Sequence, residues 1–341
     1  MNISRILAYS AALIIMAVVL WTIRDDLIGL LSNVSPAWLL LTAICWISAF
    51  VIRGARWKML LSPIERNISF SSSFWSISMS YLVNLIVPTK WGSELARAFA
   101  LSRKENASLL STLSSIVVEK IQDLFSMVIL ASTALVFIPS IDLIPSWVFH
   151  ILKILAVLAV VSITGLFMMS WKSLSFIAEL KRRINSLGRI GRTLTTALSF
   201  LVKGVEWIVR NPKPFVWSFT LTFTLWLVFS MGIYAIFSSL GTAPHPLIVI
   251  LGSLLFSFAY VLPNVPGYVG TYEGMWALVF LGLGVGGNQT VLAGALVGHL
   301  ISTTITVTLG SIGLVRIGLN LAESLKMRSI RMQDLLKAAE Q

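Results

Sequence analysis

The chain has 341 residues, 57% of them hydrophobic and only 12% charged, with a mean hydropathy of +0.88. That balance excludes an ordinary soluble domain, and several apolar runs reach the roughly 20 residues needed to cross a ~30 Å hydrocarbon core. A formal charge of +12 invites a nucleic-acid reading, but Lys and Arg sit mainly beside the apolar runs and no recognition motif accompanies them, so no nucleic-acid partner is expected.

The first apolar run extends from Ile6 to Ile23, behind Arg5 and ahead of Arg24-Asp25-Asp26. It is longer than the apolar region of a signal peptide and lacks a small-residue cleavage site, which predicts a retained span at 5–23. Further spans are predicted at 37–57, 108–137, 147–170, 214–239 and 290–316. The single Cys45 lies inside an apolar run, so no intrachain disulfide forms and no metal cluster is implied.

Loop charge sets the expected orientation. Segments 53–68, 90–105, 171–213 and the C-terminal tail carry most of the Lys and Arg, whereas 138–146, 240–247 and 284–289 carry none. The positive-inside rule puts the basic set, with both termini, in the cytoplasm of a bacterial-type inner membrane. Segments 53–68 and 90–105 then lie on one side, so the apolar stretch between them has to enter and return. By the same reasoning 248–283 enters and returns from the opposite face.

Each of these stretches is broken. The first reads Asn84-Leu85-Ile86-Val87-Pro88-Thr89-Lys90-Trp91-Gly92-Ser93-Glu94, followed by Arg97; the second reads Pro263-Asn264-Val265-Pro266-Gly267-Tyr268-Val269-Gly270-Thr271-Tyr272-Glu273. In lipid, backbone that leaves the helix exposes unpaired N–H and C=O groups, so breaks survive where protein or a wet cavity receives them. Paired breaks in two halves point to a transporter's binding site.

The fold expected is an all-α polytopic membrane protein: about six full spans plus two oppositely oriented re-entrant hairpins in an inverted repeat. It forms one integral membrane domain over 1–341. The first span–hairpin–span unit covers 36–137, and an outer loop, a span and a basic connector fill 138–213. The inverted second unit takes 214–317, and 318–341 is a basic tail. Within 171–213, Leu180, Ile184, Leu187, Ile190 and Leu194 recur at helical spacing among Lys and Arg, which fits a cytoplasmic helix on anionic headgroups or a packed connector.

Ionisable residues within apolar segments are few: Glu94, Arg97, Glu119, Lys120, Asp123, Glu273 and His299. Each costs at least ~2.5 kcal/mol at mid-span, so a functional role is the default hypothesis. Glu119 and Asp123 share a helical face and repel unless a cation lies between them, for which Arg97 and Lys120 are the candidates. The plain alternative is a salt-bridge network fixing the hairpin to its neighbour. Glu273 follows two glycines and opens an apolar arm, where it either caps orphan amides or, beside amides exposed to an anion, relays protons or repels wrong ligands. His299, among small residues, reads as a hydrogen-bonded packing histidine rather than a proton site, and Arg53 and Arg56 as interface anchors or headgroup contacts. No zinc spacing, nucleophile elbow or phosphate-binding loop appears, so neither enzyme activity nor a cofactor or metal is expected.

At these positions the chain resembles the flippase-like membrane family that includes the transmembrane domain of lysylphosphatidylglycerol synthases. The resemblance spans nearly the whole chain and rests on Arg53–Trp57, Asn84-x3-Pro88 leading to Glu94-x2-Arg97, Glu119-x3-Asp123, and Pro266-Gly267-x2-Gly270-x2-Glu273, with Gly310 near the last span's end. One departure is visible, because Ser93 separates Gly92 from Glu94 where the family favours an adjacent Gly-Glu. The resemblance implies lipid translocation without lipid synthesis. Membrane lipids, anionic or headgroup-modified, become the expected partners, with a lipid-modifying enzyme as a further candidate. The expected lipid is a phospholipid, an aminoacylated lipid or a polyprenyl-linked glycolipid. The rival readings are an integral-membrane transferase using a lipid carrier and a non-catalytic partner of a lipid-modifying enzyme.

Overall fold

A computed structural model describes residues 29, 34–65, 67–86, 90–138, 144–184, 199, 202–260 and 266–319. The expected span at 5–23, Pro88, Pro263–Val265 and the tail beyond 319 lie outside the described residues. Among the described residues the protein is helical throughout, without strands. In chain order the helices are α1 (Pro36–Leu61), α2 (Phe70–Ile86), α3 (Lys90–Glu105), α4 (Leu109–Phe137), α5 (Ser146–Ile184), α6 (Pro212–Ser239), α7 (Pro246–Phe256), α8 (Thr271–Gly282) and α9 (Asn288–Ile317).

Five of these, α1, α4, the first 20 residues of α5, α6 and α9, are long and apolar enough to cross a membrane. Their outward faces carry Leu40, Val136, Val160, Leu300 and Val315, all well exposed, which suits contact with lipid tails and would be a liability in water. Local signals explain where they start and stop. Pro36, Pro212 and Pro246 occupy the first turns of α1, α6 and α7, where a missing N–H costs nothing. Gly318 ends α9 in the left-handed conformation (φ 77°).

Helix α5 departs from expectation. The span predicted to stop at 170 continues as one helix to Ile184. Residues 171–184 contain no Gly or Pro, so nothing in the sequence ends the helix where its composition turns polar.

Helices α1 and α6 pack along each other, and α9 packs along α2. The second contact needs glycine. A Cβ on Gly313 would lie 2.8 Å from the Trp75 carbonyl oxygen and 3.1 Å from the Met79 nitrogen, so backbone meets backbone there. Small residues allow this approach in a membrane, where dispersion rather than water exclusion drives helix association. Gly310 sits one turn earlier against Leu82 and the Ser78 carbonyl.

Between the spans stand two helix pairs. Helices α2 and α3 pack together across 87–89, and α7 and α8 pack together around the segment that includes Pro266–Tyr268. An aromatic cluster anchors the second pair. Trp276 of α8 stacks on Phe237 of α6 at 5.4 Å, Phe280 meets Phe237 edge-on at 5.1 Å, and Phe256 of α7 meets Tyr272 edge-on at 4.9 Å. Offset and edge-on aromatic pairs of this kind add about 0.5–1.5 kcal/mol each beyond burial.

Candidate functional site

The charged residues of the first half converge. Helix α1 brings Arg56, α3 brings Glu94 and Arg97, and α4 brings Glu119, Lys120 and Asp123. Arg97 forks onto Glu119 with two 3.1 Å bonds and reaches Glu94 Oε2 at 2.6 Å. Arg56 meets Glu119 Oε1 at 2.8 Å, donates to Asp123, and donates to Thr222 Oγ1 of α6 at 3.2 Å. Lys120 Nζ lies 2.7 Å from Glu94 Oε1 and 3.6 Å from Glu119 Oε1. Three cations thus match three carboxylates, which is how charges survive burial at all. The Arg97 guanidinium also lies 4.7 Å from the centre of the Trp57 ring, whose indole N–H donates to Ser115 Oγ. Among the described residues the Nε atoms of Arg56 and Arg97 are buried without an acceptor.

Arg97 therefore pairs with an acid of the facing span, as the sequence suggested. The cation between Glu119 and Asp123 is a correction: it is Arg56, rather than Arg97 or Lys120, that holds both carboxylates. Nor is Arg56 an interface anchor, being only 2% exposed. It lies one turn beyond Arg53 on α1, and that turn carries it from the half-buried rim into the packed interior. Sequence offered no sign of which of the two arginines would turn inward. Gln122 was also missed: its side chain donates to Ser218 Oγ at 2.9 Å and ties α4 to α6. A polar amide at mid-span, one turn from Glu119, was the available signal.

Arg53 differs from its neighbours. It is half-buried, its guanidinium lies 5.0 Å from the Tyr81 ring centre and 5.9 Å from that of Phe50, and among the described residues it forms no ion pair. Both ring contacts fall within cation–π range.

The second half builds its polar centre from backbone. Gly267, Tyr268 and Gly270 all take positive φ (76°, 58° and 78°), which turns the chain tightly before α8. Glu273 reaches back so that its Oε2 accepts the Gly270 N–H at 2.8 Å. Its Oε1 lies 2.6 Å from His299 Nδ1, and His299 Nε2 lies 2.8 Å from the Gly267 carbonyl oxygen. Glu273 is thus a capping carboxylate, and His299 is hydrogen-bonded at both ring nitrogens. Pro266 is exposed at the outer edge of this turn. Tyr268, which the sequence did not single out, accepts a hydrogen bond from the Asn84 side chain and joins the two broken stretches.

A cavity of about 320 Å³ lies among these groups. Its wall includes Arg53, Arg56, Arg97, Glu94, Glu119, Lys120, Asp123, Asn84, Tyr268 and His299, interleaved with Trp46, Phe50, Tyr81, Trp226 and Phe229. Both halves contribute, and the volume falls in the usual range for small-molecule sites. Among the described residues no cluster of three His, Cys, Asp or Glu side chains is arranged to hold a metal.

Long apolar helices around a charged internal cavity define a multi-pass integral membrane protein. The chain belongs to the family described as the lysylphosphatidylglycerol synthase TM region, which matches residues 9–310. It is 20% identical over 307 residues to a UPF0104 membrane protein of Methanothermobacter thermautotrophicus, covering 86% of this chain and 90% of that one. A UPF0104 membrane protein of Methanocaldococcus jannaschii is 31% identical over 121 residues, 35% of this chain and 36% of the relative. Glycosyltransferase AglD of Haloferax volcanii is 21% identical over 331 residues, covering 88% of this chain and 52% of the relative. No solved structure matches the chain significantly.

Proposed function

We propose that this protein moves a lipid with an anionic headgroup between the leaflets of a cytoplasmic membrane. In this reading the two helix pairs are re-entrant hairpins of opposite orientation, related as an inverted repeat. The headgroup passes through the cavity between them while the acyl chains stay in lipid. The observation that carries the reading is the charge arrangement in that cavity. The cluster on α1, α3 and α4 is internally balanced, and among the described residues Arg53 stands beside it on the same wall without a carboxylate. A headgroup phosphate would supply the missing anion, and the aromatic wall suits the glycerol and upper acyl region. The ion-paired cluster fixes the frame, and Arg53 makes the reversible contact.

Liposomes containing the purified protein and a fluorescent phosphatidylglycerol test this directly. The label in the inner leaflet should become accessible to an external quencher faster than in protein-free liposomes, and Arg53→Ala should slow that exchange. Exchange no faster than in protein-free liposomes counts against the reading.

The similarity to a protein named as a glycosyltransferase supports a second reading, a transferase acting on a lipid carrier. The chain spans about half of that relative, and Glu94, Glu119 and Asp123 would have to leave their cationic partners to bind a nucleotide sugar through a metal. Turnover of a nucleotide sugar by the purified chain, abolished by chelation, would favour it.

A further inference from the structure

His299 presents an unusual proton inventory. Its two ring nitrogens each face an acceptor: the Glu273 carboxylate at 2.6 Å and the Gly267 carbonyl at 2.8 Å. A neutral imidazole has one donor and one acceptor, so it satisfies only one of the two. The carbonyl has no proton to give, nor has an ionised carboxylate, so only a doubly protonated ring donates to both. The other carboxylate oxygen, Oε2, already accepts the Gly270 N–H at 2.8 Å, which leaves the short Glu273–His299 contact as the place for one further proton. The Tyr272 ring stacks on the imidazole with centroids 4.5 Å apart.

We propose that Glu273 and His299 form a proton-binding site, occupied as an imidazolium–carboxylate pair, and that this proton is the ion coupled to headgroup passage. The coupling rests on the translocation reading above; the proton site does not. With the proton bound, His299 of α9 fastens the Gly267–Gly270 turn, and that turn in turn holds Asn84 of the first half through Tyr268. Without the proton, a nitrogen lone pair faces either the carboxylate or the carbonyl, and one of the two attachments is lost. His299 lines the cavity, so the proton and the headgroup share one compartment. The titratable groups facing His299 are Glu273 and Tyr272 of α8. Arg53 and Arg56 of α1, Tyr81 of α2, Glu94 and Arg97 of α3 line the same cavity from elements packed against α9.

The chain has three histidines, and His150 and His245 are exposed, so H150N/H245N leaves His299 as the sole imidazole. In lipid nanodiscs at pH 7.5, 15N spectra of that variant should show both His299 nitrogens protonated. Adding Glu273→Gln should return one nitrogen to the unprotonated form. One unprotonated ring nitrogen while Glu273 is present overturns the site.

Coupling is read separately in liposomes carrying fluorescent phosphatidylglycerol, with the membrane potential clamped to zero. One proton per lipid shifts the steady-state leaflet ratio about tenfold per unit of pH difference, and His299→Gln should abolish that shift. Lipid exchange that ignores the gradient overturns the coupling. Absence of exchange under every gradient overturns the translocation reading and the coupling with it, while the spectra still decide the proton site.

Discussion

The two helix pairs reach the same cavity with different materials. The α2–α3 pair contributes side-chain charge: Glu94 and Arg97 are bound into a six-member network with α1 and α4. The α7–α8 pair contributes backbone: positive φ at Gly267, Tyr268 and Gly270, and one capping acid, Glu273, that meets His299 of α9. The first half is held by electrostatics that fail if one member is removed. The second is held by conformational restriction and stacked aromatics, with the Glu273–His299, Asn84–Tyr268 and Ser230–Ser253 contacts among its polar links.

The comparison can be broken first at Arg97. Arg97→Ala leaves Glu119 and Glu94 buried against a reduced set of cations, and removing one partner of a buried pair costs about 3–5 kcal/mol. The thermal midpoint in detergent should fall accordingly. Arg97→Lys should recover part of the loss, because lysine cannot fork across both Glu119 oxygens. A midpoint unchanged in both variants would remove the network from the account of the first half.

Packing between the halves comes next. Gly313→Val drives a side chain into the Trp75 and Met79 backbone, and overpacking of this kind costs about 1–3 kcal/mol. Thermal unfolding of that variant should show a clear loss, whereas Gly274→Ala, which meets nothing within 4 Å, should not.

In the second half the expected effects are smaller. Gly270 holds φ 78° and ψ −38°, and a side chain there should cost about 1–3 kcal/mol in strain, so Gly270→Ala lowers the midpoint without touching the ion-pair network. The smallest effect is expected at Asn84→Ala, which removes one hydrogen bond between the halves at about 0.5–1.5 kcal/mol. Its signature should be faster hydrogen exchange around Gly267–Gly270.

Much of this was legible in sequence. Four expected spans coincide with long apolar helices to within a few residues, and the span expected at 147–170 starts with its helix but falls short of its end, because hydropathy and the flanking Pro and Gly act locally. The second broken stretch is legible for the same reason, since Pro266, Gly267 and Gly270 have fixed conformational consequences. That Glu94, Arg97, Glu119 and Asp123 sit in ion pairs was a reading the cost of charge in lipid already raised. What sequence could not give was partnership. Which arginine bridges Glu119 and Asp123 depends on how α1 is rotated against α4, a tertiary quantity that periodicity in α1 alone does not determine. Tyr268 was hidden for a related reason. Its role comes from a positive φ that turns an ordinary aromatic toward Asn84, 184 positions away in the chain. The length of α5 was misjudged because composition, not helix propensity, was used to end it.

In the proposed reading the shared cavity holds a lipid headgroup. Lipids co-purifying with the protein in mild detergent, identified by mass spectrometry beside Arg53→Ala, Arg97→Ala and Glu273→Gln, test it most directly. One anionic lipid class should be enriched over bulk membrane and depleted in Arg53→Ala, which leaves the ion-pair network intact. Bulk lipid alone, with the same profile in all four proteins, would contradict it.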